Sequence, residues 1–213
     1  MIKAVFWDND GVLVDTEILY FRATRDILSR VGVDLTVAAF IDISLRQGRS
    51  VFDLAERAGL SPEGVEKLRD DRNRLYGEML ECGIRIMDGV EQSLRELKGR
   101  VSLGVVTSSR REHFLKMHQE TGLLDYFDFI LTREDFHHAK PHPEPYREAV
   151  KRVGCAAEDC LAVEDSERGL VSASAAGIRC LVVPNDLTRD QDFSKASRIL
   201  RGADQVSGEV FSL

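Results

Sequence analysis

The sequence predicts an α/β protein, a doubly wound parallel sheet with a helical segment inserted behind its first strand. Short apolar runs alternate with stretches that read as helices closing on glycine, the pattern of strand–helix–strand crossovers. The gap from Trp7 to Val101 far exceeds one crossover, which takes roughly 30 residues. Several of the runs also stop at residues able to do chemistry. A Rossmann-like core is therefore expected over 1–15 and 85–213, with a helical cap over 16–84.

Each element has its own justification. Ile2–Trp7 is an unbroken apolar run, a strand buried on both faces. In the insert, Ile18, Phe21, Leu28 and Val31 share one helical face before Gly32. Val51, Leu54, Ala55 and Ala58 do the same before Gly59. Ser61-Pro62-Glu63 reads as a helix start, Ser as cap and Pro at the first position, with the helix running to about Leu80. Helices over Gln92–Lys98, Arg111–Thr121, Pro143–Val153 and Arg168–Ala176 each end on glycine, at 99, 122, 154 and 177. Between them lie strands Val101–Thr107, Phe127–Leu131, Cys160–Val163 and Cys180–Val183. A last helix is expected from about Asp192 to Leu200.

Composition narrows the function classes. The net charge of −7 over 213 residues disfavours a nucleic-acid surface, which needs a basic stripe. No apolar stretch approaches membrane-spanning length, and Met1–Trp7 is too short for a secretory leader. Cys82, Cys155, Cys160 and Cys180 show no C-x-x-C pair or metal-finger spacing, which fits reduced thiols of a cytoplasmic protein. His138 and His142 have helical spacing, but Pro141 between them disfavours a zinc-binding helix; with His137 they are expected at the surface.

Four segments carry the chemistry. Asp8-Asn9-Asp10-Gly11 places two carboxylates one residue apart at a strand tip. Such a pair lets one acid attack a phosphoryl group while its neighbour handles the proton, and both offer hard oxygens to Mg²⁺. Alone, the pair fits an Asx-turn equally well. Thr107-Ser108-Ser109 joins a strand tip to a helix start, where hydroxyls and free N–H groups cradle phosphate oxygens. Lys140 heads Lys-Pro-His-Pro-Glu-Pro, whose prolines pin its backbone and fix the ammonium. Glu164-Asp165 supplies two more carboxylates at a strand end. Each segment has an ordinary structural explanation, but their order, one per strand tip, does not.

These motifs resemble the haloacid dehalogenase superfamily of Mg²⁺-dependent phosphohydrolases, in the branch with a helical cap after the first strand. The resemblance covers about residues 2–185. It implies that Asp8 is the phosphorylated nucleophile and a metal ligand. Asp10 would be the general acid/base, with its backbone carbonyl on the metal. Thr107 and Ser108 would bind the phosphoryl group beside Lys140, and Asn9 would offer it a backbone N–H. Glu164 and Asp165 would complete the Mg²⁺ cage. Within the cap, Leu45–Ser50 resembles the branch's substrate-specificity loop, so Gln47 and Arg49 are expected to bind substrate, with Arg46, Arg72 and Arg74 as further candidates. Tyr20 stands where β-phosphoglucomutases usually carry a histidine. The resemblance thus implies a phosphatase of a small phosphorylated metabolite, such as a sugar phosphate or phosphoglycolate, acting as a monomer or weak homodimer without nucleic acid or membrane. A hexose phosphomutase and a non-catalytic regulatory protein are the alternatives.

Overall fold

A computed structural model describes residues 1–212. Its centre is a parallel sheet of six strands: β1 (Ala4–Trp7), β2 (Ser102–Val106), β3 (Phe129–Leu131), β4 (Cys160–Glu164), β5 (Arg179–Val182) and β6 (Arg198–Ile199), in the order β3-β2-β1-β4-β5-β6. Every pairing is parallel, with Ala4 opposite both Ser102 and Cys160. The expected Rossmann-like α/β sheet is therefore present.

Strand β1 shows why this sheet must be covered twice. Val5 and Trp7 enter one apolar layer with Leu94, Leu103 and Phe114, while Ala4 and Phe6 enter the other with Tyr146, Ala149 and Leu170. Alternate side chains point to opposite faces, and all four are buried, so helices must cover both sides.

The insert forms α1 (Glu17–Ser29), α2 (Val37–Phe40) running into a wider-wound turn at Ile41–Arg46, α3 (Asp53–Arg57) and α4 (Pro62–Leu80). Ser61 caps α4, accepting from the Gly64 N–H at 3.2 Å, and Pro62 takes the first position. These helices enclose their own apolar cluster, including Phe21, Leu28, Phe40, Phe52 and Leu68. The remaining helices are α5 (Val90–Leu97), α6 (Arg111–Met117), α7 (Glu144–Val153), α8 (Glu167–Ala175) and α9 (Val206–Ser212). Among the described residues, no helix is long and apolar enough to cross a membrane.

Two expected elements differ. Helix α6 stops at Met117, four residues early, because the buried His118 ring turns inward to Asn9 and Thr121. No helix spans Asp192–Leu200. The chain there forms β6 instead, and Ser197 N–H and Leu200 N–H donate to Cys180 O and Val182 O at 2.8 Å. The outer edge of β5 needed those donors more than the tail needed a helical turn.

Candidate active site

The strand order turns around at β1, and the tips of β2, β1 and β4 lie side by side. This is where open α/β sheets bind ligands. The ladder holds the reactive residues to the very edge: Asp8 N–H donates to Val163 O (2.9 Å) and Thr107 N–H to Leu131 O (3.0 Å).

Lys140 closes the floor. It is 4% exposed, and its ammonium meets three oxygens: Asp8 Oδ1 at 2.9 Å, Glu164 Oε1 at 2.6 Å and Val106 O at 2.8 Å. All three protons are thereby used. Burial alone would lower its pKa, but Asp8 and Glu164 outweigh that and raise it, so the ammonium keeps its charge. Tyr146 OH donates to the same Glu164 oxygen at 2.5 Å. Burial and the Asp8 charge push the Glu164 carboxyl up, against the pull of Lys140.

Asp8, Glu164 and Asp165 each offer a carboxylate oxygen within 4.8 Å of the others. Among the described residues, Glu164 Oε2 is buried with no hydrogen-bond donor. Asn185 holds Asp165 Oδ2 at 2.7 Å. Gly11, at φ +78°, leaves room for that oxygen; a Cβ there would collide with Asp165 and Asn185. Three converging hard-oxygen donors beside one ammonium form a set suited to a small divalent cation.

Asp10 is aimed separately. Thr16 Oγ1 and Ser109 Oγ each donate to it at 2.6 Å, and Thr107 Oγ1 and Tyr76 OH stand at 3.4 Å. Its carboxylate is thus fixed over the same cavity without joining the acidic cluster. The cavity encloses about 330 Å³. Asp8 and Lys140 lie at its base; Thr107, Ser108 and Arg110 form one wall; Tyr20 and Glu17 from α1, with Arg69, Arg72 and Tyr76 from α4, form the roof. Among the described residues, Ser108 Oγ is buried with no hydrogen-bond partner, which leaves its hydroxyl for a ligand. Burial raises the Glu17 carboxyl to about 7, with Arg168 opposing and Asp10 and Asp8 adding to the rise.

Thus the structure lines one cavity with Asp8, Asp10, Thr107, Ser108 and Lys140, and clusters Glu164 and Asp165 against Asp8. Asn9 behaves differently. Its N–H donates to Asp8 Oδ1 (2.8 Å), but its side chain is buried against His118 Nε2 (2.7 Å) and Met117 Sδ (3.0 Å). Burial lowers the His118 pKa to about 4; a neutral ring with its proton on Nε2 satisfies both Asn9 Oδ1 and Thr121 Oγ1. Gln47 and Arg49 do not line the cavity: Gln47 Nε2 donates to Asp42 (2.9 Å) and Arg49 pairs with Asp53 (3.1 Å). Arg46 reaches Asp190 O (2.6 Å) and Arg74 reaches Asp71 (2.7 Å), both at the surface. Arg72 does enter, its guanidinium 4.3 Å from the centre of the Tyr20 ring.

Comparison with known proteins agrees with this geometry. The model of the haloacid dehalogenase-like hydrolases matches residues 5–183. The chain belongs to that family. It is 30% identical over 182 residues to the phosphorylated carbohydrates phosphatase of Thermotoga maritima, covering 83% of this chain and 82% of the relative. It is 29% identical over 194 residues to hexitol phosphatase B of Escherichia coli, covering 86% and 84%. The structure of CbbY from Rhodobacter sphaeroides with bound phosphate superposes with a TM-score of 0.83 at 26% identity, covering 97% of this chain and 96% of that one.

Sequence reasoning missed Tyr146, Asn185 and His118. Ser109 is read from the sequence with Thr107 and Ser108 as part of a phosphate cradle, but its hydroxyl donates to Asp10 instead. Tyr146 sits six residues after Lys140, in the first turn of α7, where a side chain can reach back to the lysine's partner. Asn185 and His118 act across long sequence separations, and nothing local marks them.

Proposed function

We propose that this hydrolase is a Mg²⁺-dependent phosphatase of a small phosphorylated metabolite, working through an aspartyl phosphate on Asp8. The observation that carries the reading is the buried Lys140 ammonium between Asp8 and Glu164 at the base of a cavity whose wall offers Thr107 and the unpartnered Ser108 hydroxyl.

Asp8 attacks phosphorus, forming the new P–O bond as the bond to the substrate's leaving oxygen breaks. Asp10, aimed by Thr16 and Ser109, donates its proton to that oxygen. It then removes a proton from the water that attacks the phosphorus of phospho-Asp8, releasing phosphate and restoring the carboxylate. Thr107 and Ser108 hold the non-transferring oxygens, and the Lys140 ammonium, bonded to Asp8, offsets their charge. Asp8, Glu164, Asp165 and the Asp10 carbonyl would hold Mg²⁺, which supplies positive charge against the repulsion between a carboxylate and a phosphoryl group.

Residues 16–84 act in this reading as a cap. It meets the core at His113 Nε2 and Asn73 O (3.0 Å) and at Lys116 and Glu81 (3.0 Å), excluding water from the cavity between them. The relatives named for carbohydrate and hexitol phosphatase activity support a sugar or polyol phosphate, whose hydroxyls suit a roof of Tyr20, Arg69, Arg72 and Asn73. A panel of sugar and polyol phosphates assayed with and without Mg²⁺ tests it. Mg²⁺-dependent phosphate release from at least one member is expected, absent in Asp8→Asn; release that persists in Asp8→Asn refutes the aspartyl-phosphate route.

A further inference from the structure

We propose that His138, His142 and Glu144 form a second metal site, on the outer side of the turn that carries Lys140, for a borderline divalent ion of the zinc class. The sequence argues against a helical histidine pair here because Pro141 intervenes. The structure brings the two rings together by another route. His142 N–H donates to Ala139 O (3.0 Å), closing a turn over 139–142, and the rings stack with centroids 4.5 Å apart and planes inclined by 33°. Glu144, the first residue of α7, then lifts its carboxylate between them. Its Oε2 lies 2.8 Å from His138 Nδ1 and 3.8 Å from His142 Nδ1.

One ligand atom from each of the three residues lies within 4.8 Å of the others. Tetrahedral zinc with bonds of about 2.0–2.2 Å holds its ligand atoms about 3.3–3.6 Å apart, so side-chain rotations close the set, His142 presenting Nε2 or giving up the Glu144 N–H that its Nδ1 accepts at 3.2 Å. The carboxylate is already oriented from behind: His137 N–H donates to Oε1 and His138 N–H to Oε2, each at 2.9 Å. Such supporting donors are what metal-binding carboxylates use. The His138 and His142 side chains are 67% and 46% exposed, so an ion can enter and water can complete its shell.

Ligand chemistry separates this site from the acidic cluster. Asp8, Glu164 and Asp165 are all-oxygen and buried, the preference of Mg²⁺, whereas two imidazoles and one carboxylate select Zn²⁺, Co²⁺ or Cu²⁺. An ion here would tie together residues on both sides of Lys140, just ahead of Tyr146, and so restrain the segment that presents the ammonium to Asp8.

The test uses the full chain carrying Cys82→Ser, which removes the exposed thiol, in excess Mg²⁺ to fill the acidic cluster. Zn²⁺ is titrated by calorimetry, and histidine ring ¹⁵N resonances are followed by NMR. The expected result is one equivalent of Zn²⁺ bound, with the His138 and His142 rings shifting and those of buried His113 and His118 unmoved. His138→Ala/His142→Ala and Glu144→Gln should each bind Zn²⁺ at least tenfold more weakly, and the double histidine variant should keep its metal-free melting because both rings are exposed. Unmoved His138 and His142 resonances, or wild-type affinity in the double variant, would overturn the site and leave only a histidine–carboxylate hydrogen bond.

Discussion

At the floor of the cavity the acids are held by fixed partners: Lys140 on Asp8 and Glu164, Asn185 on Asp165, Thr16 and Ser109 on Asp10. At the roof the fit is looser. Arg69 makes one 3.2 Å bond to Ser50 and a 3.5 Å contact with Glu66, and Arg72 donates to Asn73 and Thr24 with no carboxylate partner among the described residues. Rigid donors are what stabilising a developing charge requires. Cations with spare donors are what recognition of a variable substrate requires. Under the proposed function, the floor sets the reaction and the roof sets the substrate.

The largest effect should come from the floor. Asp8→Asn should lower kcat by about 10⁴-fold or more, since the proposed route makes Asp8 the nucleophile and its loss removes a whole catalytic unit. Lys140→Met should lower kcat by about 10²–10³-fold. It should also cost stability, because it strands Asp8 and Glu164 in a buried site; breaking such a buried pair costs on the order of 3–5 kcal/mol, readable in urea melts. A Lys140→Met protein that melts like wild type would break the contrast between floor and roof.

At the roof, Arg72→Met should raise KM about tenfold, equivalent to about 1.4 kcal/mol, with kcat changed much less. A kcat loss matching that of Lys140→Met would move Arg72 from recognition to chemistry. His118→Ala should cost about 1–3 kcal/mol by leaving the buried Asn9 side chain without its partner, while kcat stays near wild type. Smallest of all, Arg49→Ala should shift KM by less than about twofold, since its guanidinium faces Asp53 and Gln47 rather than the cavity; such exposed substitutions usually stay within about 0.5 kcal/mol.

The same contrast explains what could be read from the sequence. Floor residues sit at strand tips, and a strand announces itself as an apolar run, so Asp8 and Glu164 are legible one residue past their runs and Thr107 at the end of its own. Lys140 was legible from its prolines. Roof residues lie on helix faces, where every third or fourth residue competes for the same role. Which arginine turns inward depends on how α4 rolls against α1, fixed by contacts such as the 5.1 Å edge-on packing of Tyr20 and Tyr76. Arg72 faces in, and Arg74, two residues on, faces out. The tail reads as a helix in the sequence because its pairing with the open edge of β5, Arg198 opposite Leu181, leaves no local mark.

The most direct test of the central claim is chemical trapping of the phosphorylated residue during turnover. Borohydride quenching of enzyme with substrate and Mg²⁺ reduces an aspartyl phosphate to homoserine, which peptide mass spectrometry then locates. Homoserine at position 8, absent without substrate, is the predicted result. Continued phosphate release with no homoserine, or homoserine at 10 or 165 instead, would contradict the assignment of Asp8 as the residue that takes the phosphoryl group.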